Sequence, residues 1–326
     1  MPQILIVKTS SMGDVIHNLP VITDIQKQIP DTAIDWVVEE SFSQLPRLHP
    51  GIRKVIPVAL RRWRKSLTQA TTLREIRDFV TTLREDVYDV VLDTQGLVKS
   101  AVIAKLAHGE RRGYAWGSAR EALATGIYNR RFVVDTKLHA VERNRQLAAK
   151  ALGYELQSLA LDYGIKAPGD RCSWLPNTPY AVLLHATSRD DKLWPENDWI
   201  SLGKNFLHRG IHCVLPWGNA TEKARSERLA SALTHSHIPD EMSLNDATTL
   251  LAHATIVVGV DTGLTHLAAA LGTNVVALYV ATSPGLTGVY GEKNAVNLGS
   301  AGQPPTITNV WDVVTKLINS ESKNGS

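Results

Sequence analysis

The sequence has few cysteines, few aromatic residues and no long apolar run. Cys172 and Cys213 are its two cysteines among 326 residues, too few for a disulfide framework or a thiolate metal site. This cysteine usage indicates a reducing cytoplasm. No apolar run approaches the roughly 20 residues that a membrane helix needs, and no basic-then-apolar signal segment opens the chain. We therefore expect a protein that is neither secreted nor membrane-spanning.

Several motifs that define common classes of protein are also missing. There is no GxxxxGK[ST], which excludes a P-loop enzyme, and no GxGxxG follows the first predicted strand, which counts against a dinucleotide oxidoreductase. The histidines, cysteines and acids have no metal-ligand spacing, so no metal is expected. With 6% aromatic residues and no RRM, helix-turn-helix or zinc pattern, the chain gives little support to a nucleic-acid-binding module.

The length and the charge distribution indicate two unlike halves. A chain of 326 residues exceeds one ordinary core, so two domains of about 150 residues each are expected. Residues 1–168 hold 24 lysines and arginines and 18 acids, a net charge of +6, whereas residues 169–326 hold 11 and 14, a net charge of −3. The basic half indicates either an anionic partner (nucleic acid, membrane surface or acidic small molecule) or a solvated basic face.

Apolar runs of strand length alternate with helical patterns through both halves. The predicted strands are 4–8, 34–40, 54–58, 88–95, 132–135, 180–186, 211–218, 254–261 and 274–279. The predicted helices are 15–29, 71–87, 98–107, 139–152, 196–209, 220–233, 243–253, 262–271 and 311–318. This alternation predicts an α/β fold of two Rossmann-like domains, 1–168 and 169–326, with a Gly- and Pro-rich linker at 164–178. The closing helix either completes the second domain or packs back on the first.

The segment VDTGLTHLAAALG (260–272) predicts an anion site in the second domain. A strand ends at Asp261, and Thr262 and Gly263 open the next helix, whose free N–H groups and dipole attract anions. His266 lies one turn inside this helix. Alternatively, Thr262 only caps the helix and His266 packs in the core.

Three further strand-end loops carry side chains that suit a nucleotide. The loop after the first strand of the second domain holds Thr187, Ser188 and Lys192, and a lysine that faces a helix N-terminus suits a pyrophosphate. Glu222 either complements the dipole of its helix or accepts both hydroxyls of a ribose. Met242 either lies along an adenine or fills space in the core.

Seven segments together resemble the lipopolysaccharide heptosyltransferases, which are GT-B glycosyltransferases of family 9 that act in inner-core assembly. They are KTSSMGDVIHNLP, RRWRK, DTQGLVKSA, HAVERNRQLAAKALGY, HATSRDDKLWP, LPWG and VDTGLTHLAAAL. The resemblance extends from Ile4 to about Gly291, and the first-domain motifs resemble the type I members. It implies two Rossmann-like domains whose parallel sheets face each other across a cleft. A type II heptosyltransferase or another GT-B sugar-nucleotide enzyme is the alternative.

The resemblance implies an inverting transfer of heptose. The implied donor is ADP-L-glycero-β-D-manno-heptose, a substrate and not a cofactor, and the acceptor is the first Kdo (an acidic eight-carbon sugar) of Kdo2-lipid A. Neither an essential metal nor a nucleic acid is implied. Such an enzyme is cytoplasmic and works peripherally on the cytoplasmic face of the inner membrane. The donor contacts carried over are Thr187, Ser188, Lys192, Glu222, Met242, Asp261, Thr262, Gly263 and His266.

Asp14, in KTSSMGDVIH, is the catalytic base that the resemblance implies. An inverting transfer needs a group that takes the proton of the acceptor hydroxyl as the sugar–phosphate bond breaks. Asp14 follows the first strand, and the N-terminus of its helix stabilises the ionised form. Asp14 is a base, a helix cap or both. His17, one turn further on, is either an alternative base or a partly buried helix residue.

Cationic side chains of the first domain suit an acceptor that carries carboxylates and phosphates. RRWRK (61–65) either grips lipid phosphates or lies at an anionic membrane surface, where Trp63 would occupy the interface. The predicted acceptor-binding residues are Arg61, Arg62, Arg64, Lys65, Lys99 and Arg120.

Overall fold

The computed structural model describes residues 1–167, 174–187, 189–291 and 294–321. The chain divides into two compact units, Met1–Ile165 and Lys166–Ser326, and each is built on one six-stranded sheet. Every strand pairing within these two sheets is parallel, so the prediction of two parallel α/β sheets is confirmed. Ser188 and part of the predicted linker lie outside the described residues.

The first unit alternates strands with helices. Its strands are β1 (Gln3–Val7), β2 (Ala33–Glu39), β3 (Ile52–Val58), β4 (Val87–Asp93), β5 (His108–Tyr114) and β6 (Arg130–Phe132). Its helices are α1 (Met12–Ile16), α2 (Leu19–Gln28), α3 (Gln44–Arg47), α4 (Leu60–Trp63), α5 (Ala70–Leu83), α6 (Val98–Leu106) and α7 (Ala140–Leu152). A 3-10 helix, Ala122–Ile127, lies between β5 and β6.

The second unit repeats this arrangement. Its strands are β7 (Tyr180–Leu184), β8 (His212–Val214), β9 (Ser236–His237), β10 (Ile256–Val260), β11 (Val275–Tyr279) and β12 (Ala295–Gly299). Its helices are α8 (Glu196–His208), α9 (Ala220–Ser231), α10 (Leu244–Ala252), α11 (Gly263–Ala270) and α12 (Ile307–Glu321). None of the helices in the described part of the chain is long and apolar enough to cross a membrane.

Both sheets have the strand order of a doubly wound nucleotide-binding fold. The first sheet is ordered β3-β2-β1-β4-β5-β6, and the second is ordered β12-β11-β10-β7-β8-β9. Read from β9 to β12, with β7 counted as the first strand of its unit, the second sheet has the same order as the first. The order reverses between β1 and β4 in one unit and between β7 and β10 in the other. Ligands of such sheets bind beyond the carboxyl ends of the strands at this point of reversal, so the site is sought there in each unit.

The structure differs from the predicted elements at several places: α3, β9 and β12 were not predicted, and the strand predicted at 132–135 is β6, Arg130–Phe132. The single helix predicted over 15–29 is two helices, with Pro20 in the first turn of α2, where a missing N–H costs nothing. β5 was not predicted because its sequence, HGERRGY, has little apolar content. The predicted RRWRK loop contains α4, a single helical turn that begins at Leu60.

Trp63 is a core residue of the first unit. Its side chain is 7% exposed and packs edge-to-face on Phe79, with 5.7 Å between the ring centroids. Its indole Nε1 donates to the Glu75 carboxylate at 2.7 Å. The alternative in which Trp63 lies in a membrane interface is therefore wrong, and a tryptophan in a cationic sequence has here an ordinary packing role.

The last helix, α12, contributes to the core of the second unit. Val310, Val314 and Leu317 join the apolar cluster formed by the sheet and α8. Trp311 packs edge-to-face on Phe206 of α8, with 5.4 Å between the ring centroids. The apolar face of this helix is therefore used within the second unit.

Replacement of Trp63 by Ala should destabilise the first unit. Removing a buried tryptophan leaves a cavity and removes one hydrogen bond to Glu75, so we expect a loss of about 3–5 kcal/mol in the free energy of unfolding. Urea unfolding followed by circular dichroism measures it. Trp116→Ala, at a tryptophan that is 67% exposed, is the matched control and should change the value by less than about 0.5 kcal/mol. Equal effects of the two variants would contradict the assignment of Trp63 to the core.

Candidate active site

The carboxyl ends of β1 and β4 are joined by one glutamine side chain. Gln95, just beyond β4, accepts hydrogen bonds at Oε1 from the backbone N–H groups of Thr9 (3.0 Å) and Ser10 (3.2 Å). Its Nε2 donates to the Ser10 carbonyl at 2.6 Å. The loop that leads into α1 is thereby held against the end of β4. This loop carries Asp14. The position of Asp14 is therefore set by Gln95, which was not predicted as a site residue.

Asp14 caps its own helix and also forms an ion pair. Its Oδ2 accepts hydrogen bonds from the Ser11 backbone N–H (2.9 Å) and hydroxyl (3.2 Å). Arg120 Nη2 donates to Asp14 Oδ1 at 2.8 Å, and the Asp14 side chain is 13% exposed. Burial raises the pKa of Asp14, but the charges of Lys8 and Arg120 and the Ser11 N–H outweigh burial and hold it below its usual range. The carboxylate is therefore ionised and partly open to solvent.

Lys8 is a buried cation that sequence reasoning missed. It follows β1, is 4% exposed, and its Nζ donates to the Thr94 carbonyl at 2.9 Å and to Asn144 Oδ1 at 3.5 Å. Burial lowers the pKa of Lys8 to about 8, and the charge of Asp14 opposes that shift. The available signal was a lysine placed directly at the end of a fully apolar strand.

The predicted acceptor-binding cations fall into two groups. Lys99 and Arg120 lie beside Asp14, because Lys99 Nζ reaches the Ser10 hydroxyl at 3.3 Å and Arg120 pairs with Asp14 itself. Arg61, Arg62, Arg64 and Lys65 instead follow β3, two strands away from β1.

Within this second group the charge is partly neutralised. Arg62 pairs with Glu40 (3.0 Å) and Glu75 (2.6 Å), and Arg61 lies over the Phe42 ring at 5.1 Å. Arg64 and Lys65 are exposed. Arg62 is thus occupied by two acids of its own unit, while the last two cations of RRWRK remain accessible to a ligand.

Asp261 organises the corresponding edge of the second unit. It follows β10, and its Oδ2 accepts hydrogen bonds from Lys192 Nζ at 2.7 Å and from the Thr282 hydroxyl at 2.9 Å. His266 Nε2 lies 3.6 Å from Oδ1. Burial raises the pKa of Asp261, but the hydrogen bonds from His266, Lys192 and Thr282 outweigh it and hold this pKa well below its usual range. Thr282, which lies beyond β11, was not predicted.

Most of the predicted anion-binding residues meet at this acid. Thr187 Oγ1 donates to the Asp261 carbonyl at 3.3 Å, and Lys192 is 18% exposed. Thr262 is the N-cap of α11 and Gly263 its first residue, so both lie where helix N–H groups point outward. A cation, hydroxyls and a helix N-terminus therefore converge, which is the chemistry that a phosphate group requires.

Glu222 and Met242 lie at the ends of the neighbouring strands. Glu222 is in the first turn of α9, after β8, and its Oε2 accepts from the Gly218 N–H at 2.8 Å. Met242 follows β9 and is half-buried just before α10. The structure places both at the carboxyl edge of the sheet, as predicted, but the hydrogen bonds of Glu222 stay within its own loop.

A buried histidine links two of these loops and was also missed. His185 Nε2 and the Ser226 hydroxyl are 2.9 Å apart, and both residues are fully buried. His185 lies between β7 and Thr187, and Ser226 is one turn along α9 from Glu222. The contact therefore fixes helix α9 against the loop that carries the predicted phosphate-binding residues. Burial and the charge of Arg225 lower the pKa of His185 to about 4.

Within the described ranges, no group of three or more His, Cys, Asp or Glu side chains is placed to hold a metal ion. Two doubly wound parallel sheets of the same strand order, each with charged side chains at the carboxyl ends of its central strands, match the GT-B class of glycosyltransferases. The chain matches the model of glycosyltransferase family 9 (heptosyltransferase) over residues 76–310 and belongs to that family.

Curated relatives agree with this assignment. The chain is 47% identical over 291 residues to lipopolysaccharide heptosyltransferase 1 of Salmonella typhimurium (89% of this chain, 92% of that protein). It is also 47% identical over 300 residues to the heptosyltransferase 1 of Escherichia coli K12 (90% and 92%). The heptosyltransferase 2 of Escherichia coli K12 is 24% identical over 307 residues (87% and 84%).

Two solved structures have the same fold. The E. coli heptosyltransferase WaaC with ADP is 44% identical and superposes with a TM-score of 0.90, covering 97% of this chain and 99% of that one. WaaC with ADP-2-deoxy-2-fluoro heptose is 43% identical with a TM-score of 0.86, covering 98% and 99%. The predicted fold class and family are therefore confirmed.

The buried His185 should make the stability of this enzyme depend on pH. Between pH 6.5 and 4 the unfolded chain binds a proton at this ring that the folded chain does not, so the free energy of unfolding falls as the pH falls. We expect this residue to account for a loss of about 2 kcal/mol between pH 7 and pH 5. Urea unfolding at both pH values should show a smaller loss for His185→Gln. His208→Gln, at an exposed histidine of α8, is the control. Equal pH dependence of wild type and His185→Gln would contradict a neutral buried ring.

Proposed function

We propose that this glycosyltransferase moves L-glycero-D-manno-heptose from ADP-L-glycero-β-D-manno-heptose to the first Kdo of Kdo2-lipid A, with inversion at the anomeric carbon. This is a step in the synthesis of the lipopolysaccharide inner core. The type I assignment is supported because identity to the type 1 enzymes is about twice that to the type 2 enzyme. The observation that carries the chemistry is the ionised Asp14 carboxylate close to the charges of Lys8 and Arg120.

In the proposed donor site, the second unit binds the nucleotide. The pyrophosphate occupies the N-terminus of α11 at Thr262 and Gly263, where helix N–H groups and the dipole stabilise negative charge. Lys192 donates one hydrogen bond to Asp261 and keeps two N–H groups for phosphate oxygens. Glu222 accepts from the ribose hydroxyls and Met242 lies along the adenine, in keeping with their places beyond β8 and β9.

In the proposed acceptor site, the first unit binds the anionic sugar. Arg120 and Lys99 pair with the Kdo carboxylate, and Arg64 and Lys65 are free to reach phosphates of the lipid. A carboxylate that pairs with Arg120 weakens the ion pair between Arg120 and Asp14. The pKa of Asp14 would then rise towards its ordinary value, which makes this carboxylate a stronger base when the acceptor is present.

The proposed transfer is a single displacement. The acceptor oxygen forms a bond to the anomeric carbon of heptose while the bond from that carbon to the phosphate oxygen breaks. Asp14 takes the proton of the acceptor hydroxyl, and ADP leaves with the bonding electron pair. Lys192 and the N-terminus of α11 stabilise the charge that develops on ADP. We propose that these groups suffice without an essential metal, and that the enzyme acts peripherally at the cytoplasmic face of the inner membrane, where its lipid acceptor is found.

Asp14→Asn should remove the base and keep the helix cap. Asparagine still accepts a hydrogen bond from Ser11, so the fold and ADP-heptose binding should change little. The rate of ADP release with ADP-heptose and Kdo2-lipid A should fall by about 100-fold to 10,000-fold. Donor affinity, measured by calorimetry, should stay within about twofold.

Two comparisons make this test specific. Asp78→Asn, at an exposed acid of α5, should keep full activity. The wild type should show no turnover with an acceptor that lacks Kdo, and much less with ADP-mannose as donor. Near-normal turnover of Asp14→Asn would contradict the base assignment, and turnover only on an already heptosylated acceptor would favour a type II enzyme.

Lys192→Ala should weaken the donor site. Loss of a charge-assisted hydrogen bond to the pyrophosphate costs about 1.5–3 kcal/mol, which corresponds to roughly 10-fold to 100-fold weaker ADP-heptose binding and slower turnover. Calorimetry with ADP-heptose and with ADP measures the loss. Lys204→Ala, at an exposed lysine of α8, is the control. An unchanged donor affinity in Lys192→Ala would exclude a pyrophosphate contact.

A further inference from the structure

The first unit exposes an apolar surface patch that the proposed reaction does not use. It consists of Trp116 and Leu123, which are 67% and 75% exposed, and of Val98 and Val102 on α6, which are 37% and 45% exposed. Val98 and Val102 are four residues apart and so share one face of the helix. Large side chains exposed to this degree are costly in water unless a partner covers them.

The segment that carries Trp116 and Leu123 is fastened to the start of α6. The Glu121 N–H donates to the Gly96 carbonyl at 3.0 Å, and the Val98 N–H donates to the Glu121 carboxylate at 2.6 Å. Ala124, in the 3-10 helix, packs with Ala101 of α6 in one small apolar cluster. The patch is therefore a defined surface held by backbone hydrogen bonds.

The patch lies in a basic segment of the chain. Residues 96–131 contain seven lysines and arginines and two acids, a net charge of +5, which exceeds the +3 of the whole protein. Lys99 and Lys105 on α6 and Arg131 on β6 are exposed in the same segment. A tryptophan and aliphatic side chains together with cations are the composition that binds the headgroup region of an anionic bilayer.

We propose that the apolar surface patch docks this enzyme on an anionic lipid bilayer. The inference deepens the proposed function and rests on its lipid acceptor. Trp116 and Leu123 insert among the headgroups, while Lys105 and Arg131 pair with lipid phosphates. Arg120 belongs to the same segment and pairs with Asp14, so docking of the patch brings the base close to the membrane surface from which the Kdo sugar projects.

The charge of the patch argues for a membrane and against a second copy of this chain. Two copies joined through this surface would place two segments of +5 against each other, and this repulsion would oppose the apolar contact. The cations of RRWRK can join the same bilayer, but Trp63 cannot, since it is buried. The structure therefore assigns the aromatic membrane contact to Trp116.

The test is binding of the full-length enzyme to lipid vesicles, which requires no catalysis. Vesicles of phosphatidylethanolamine and phosphatidylglycerol (about 3:1) should retain the wild type, whereas phosphatidylcholine vesicles should retain far less. Trp116→Ser with Leu123→Ser should weaken partition by about tenfold or more. Val87→Ser with Leu286→Ser, at side chains 71% and 51% exposed outside the patch and away from RRWRK, should not change it. Turnover of a deacylated, water-soluble Kdo acceptor should be the same for all three proteins.

Each other outcome separates this inference from the proposed function. Unchanged vesicle binding of the Trp116→Ser, Leu123→Ser variant, or absence of wild-type binding, would overturn the docking surface even if heptose transfer is observed. A wild-type dimer in solution that this variant abolishes would overturn it in favour of a second copy. A third outcome is that wild-type vesicle binding depends on the patch but no heptose is transferred to any Kdo acceptor. This outcome would contradict the proposed function and support the docking surface.

Discussion

Parallel pairing of the two central strands is the constraint on which each candidate site depends. In the first unit Val7, the last residue of β1, pairs with Asp93, the last residue of β4, so the loops that follow begin side by side. In the second unit Leu184 at the end of β7 pairs with Gly259 near the end of β10. The strand order reverses at both places, so the two loops diverge and leave an opening. Side chains distant in sequence meet there: Lys192 and Asp261 are 69 residues apart, and Asp14 and Arg120 are 106 residues apart.

Each opening contains an acid that is paired with a cation. Asp14 pairs with Arg120 in the first unit, and Asp261 pairs with Lys192 in the second. A cation cluster without an acid would repel itself before an anionic substrate arrives, whereas a paired cation is held in place and remains partly exposed. The consequence differs between the units. Asp261 has three hydrogen-bond donors that hold its pKa well below the usual range, so it is ionised and positions Lys192. Asp14 depends largely on charges, and its proton affinity would respond to an acceptor carboxylate.

The fold, and the places of most candidate residues at the ends of strands, could be predicted because both depend on local patterns. Strand–helix alternation and a helix start after Asp261 are visible in the residues themselves, and the family resemblance supplied the roles of Asp14 and Lys192. Lys8, Thr282 and His185 were missed because their importance comes from partners distant in sequence. Lys8 reaches Thr94, 86 residues away, and His185 reaches Ser226, 41 residues away. No periodicity or motif records such contacts.

RRWRK shows why a run of charges is a weaker predictor than a run of apolar residues. Most apolar runs are buried when the chain folds, whereas the effect of a charge depends on its tertiary neighbours. Arg62 is paired with Glu40 and Glu75, which come from either side of it in the chain, and Trp63 packs into the core beside the same Glu75. The segment 96–131 attracts less notice in the sequence because its cations are spread out. Folding leaves Lys99, Lys105 and Arg131 exposed in the same segment as the exposed Trp116, so the surface that we propose for an anionic membrane is defined by the fold and not by local charge density.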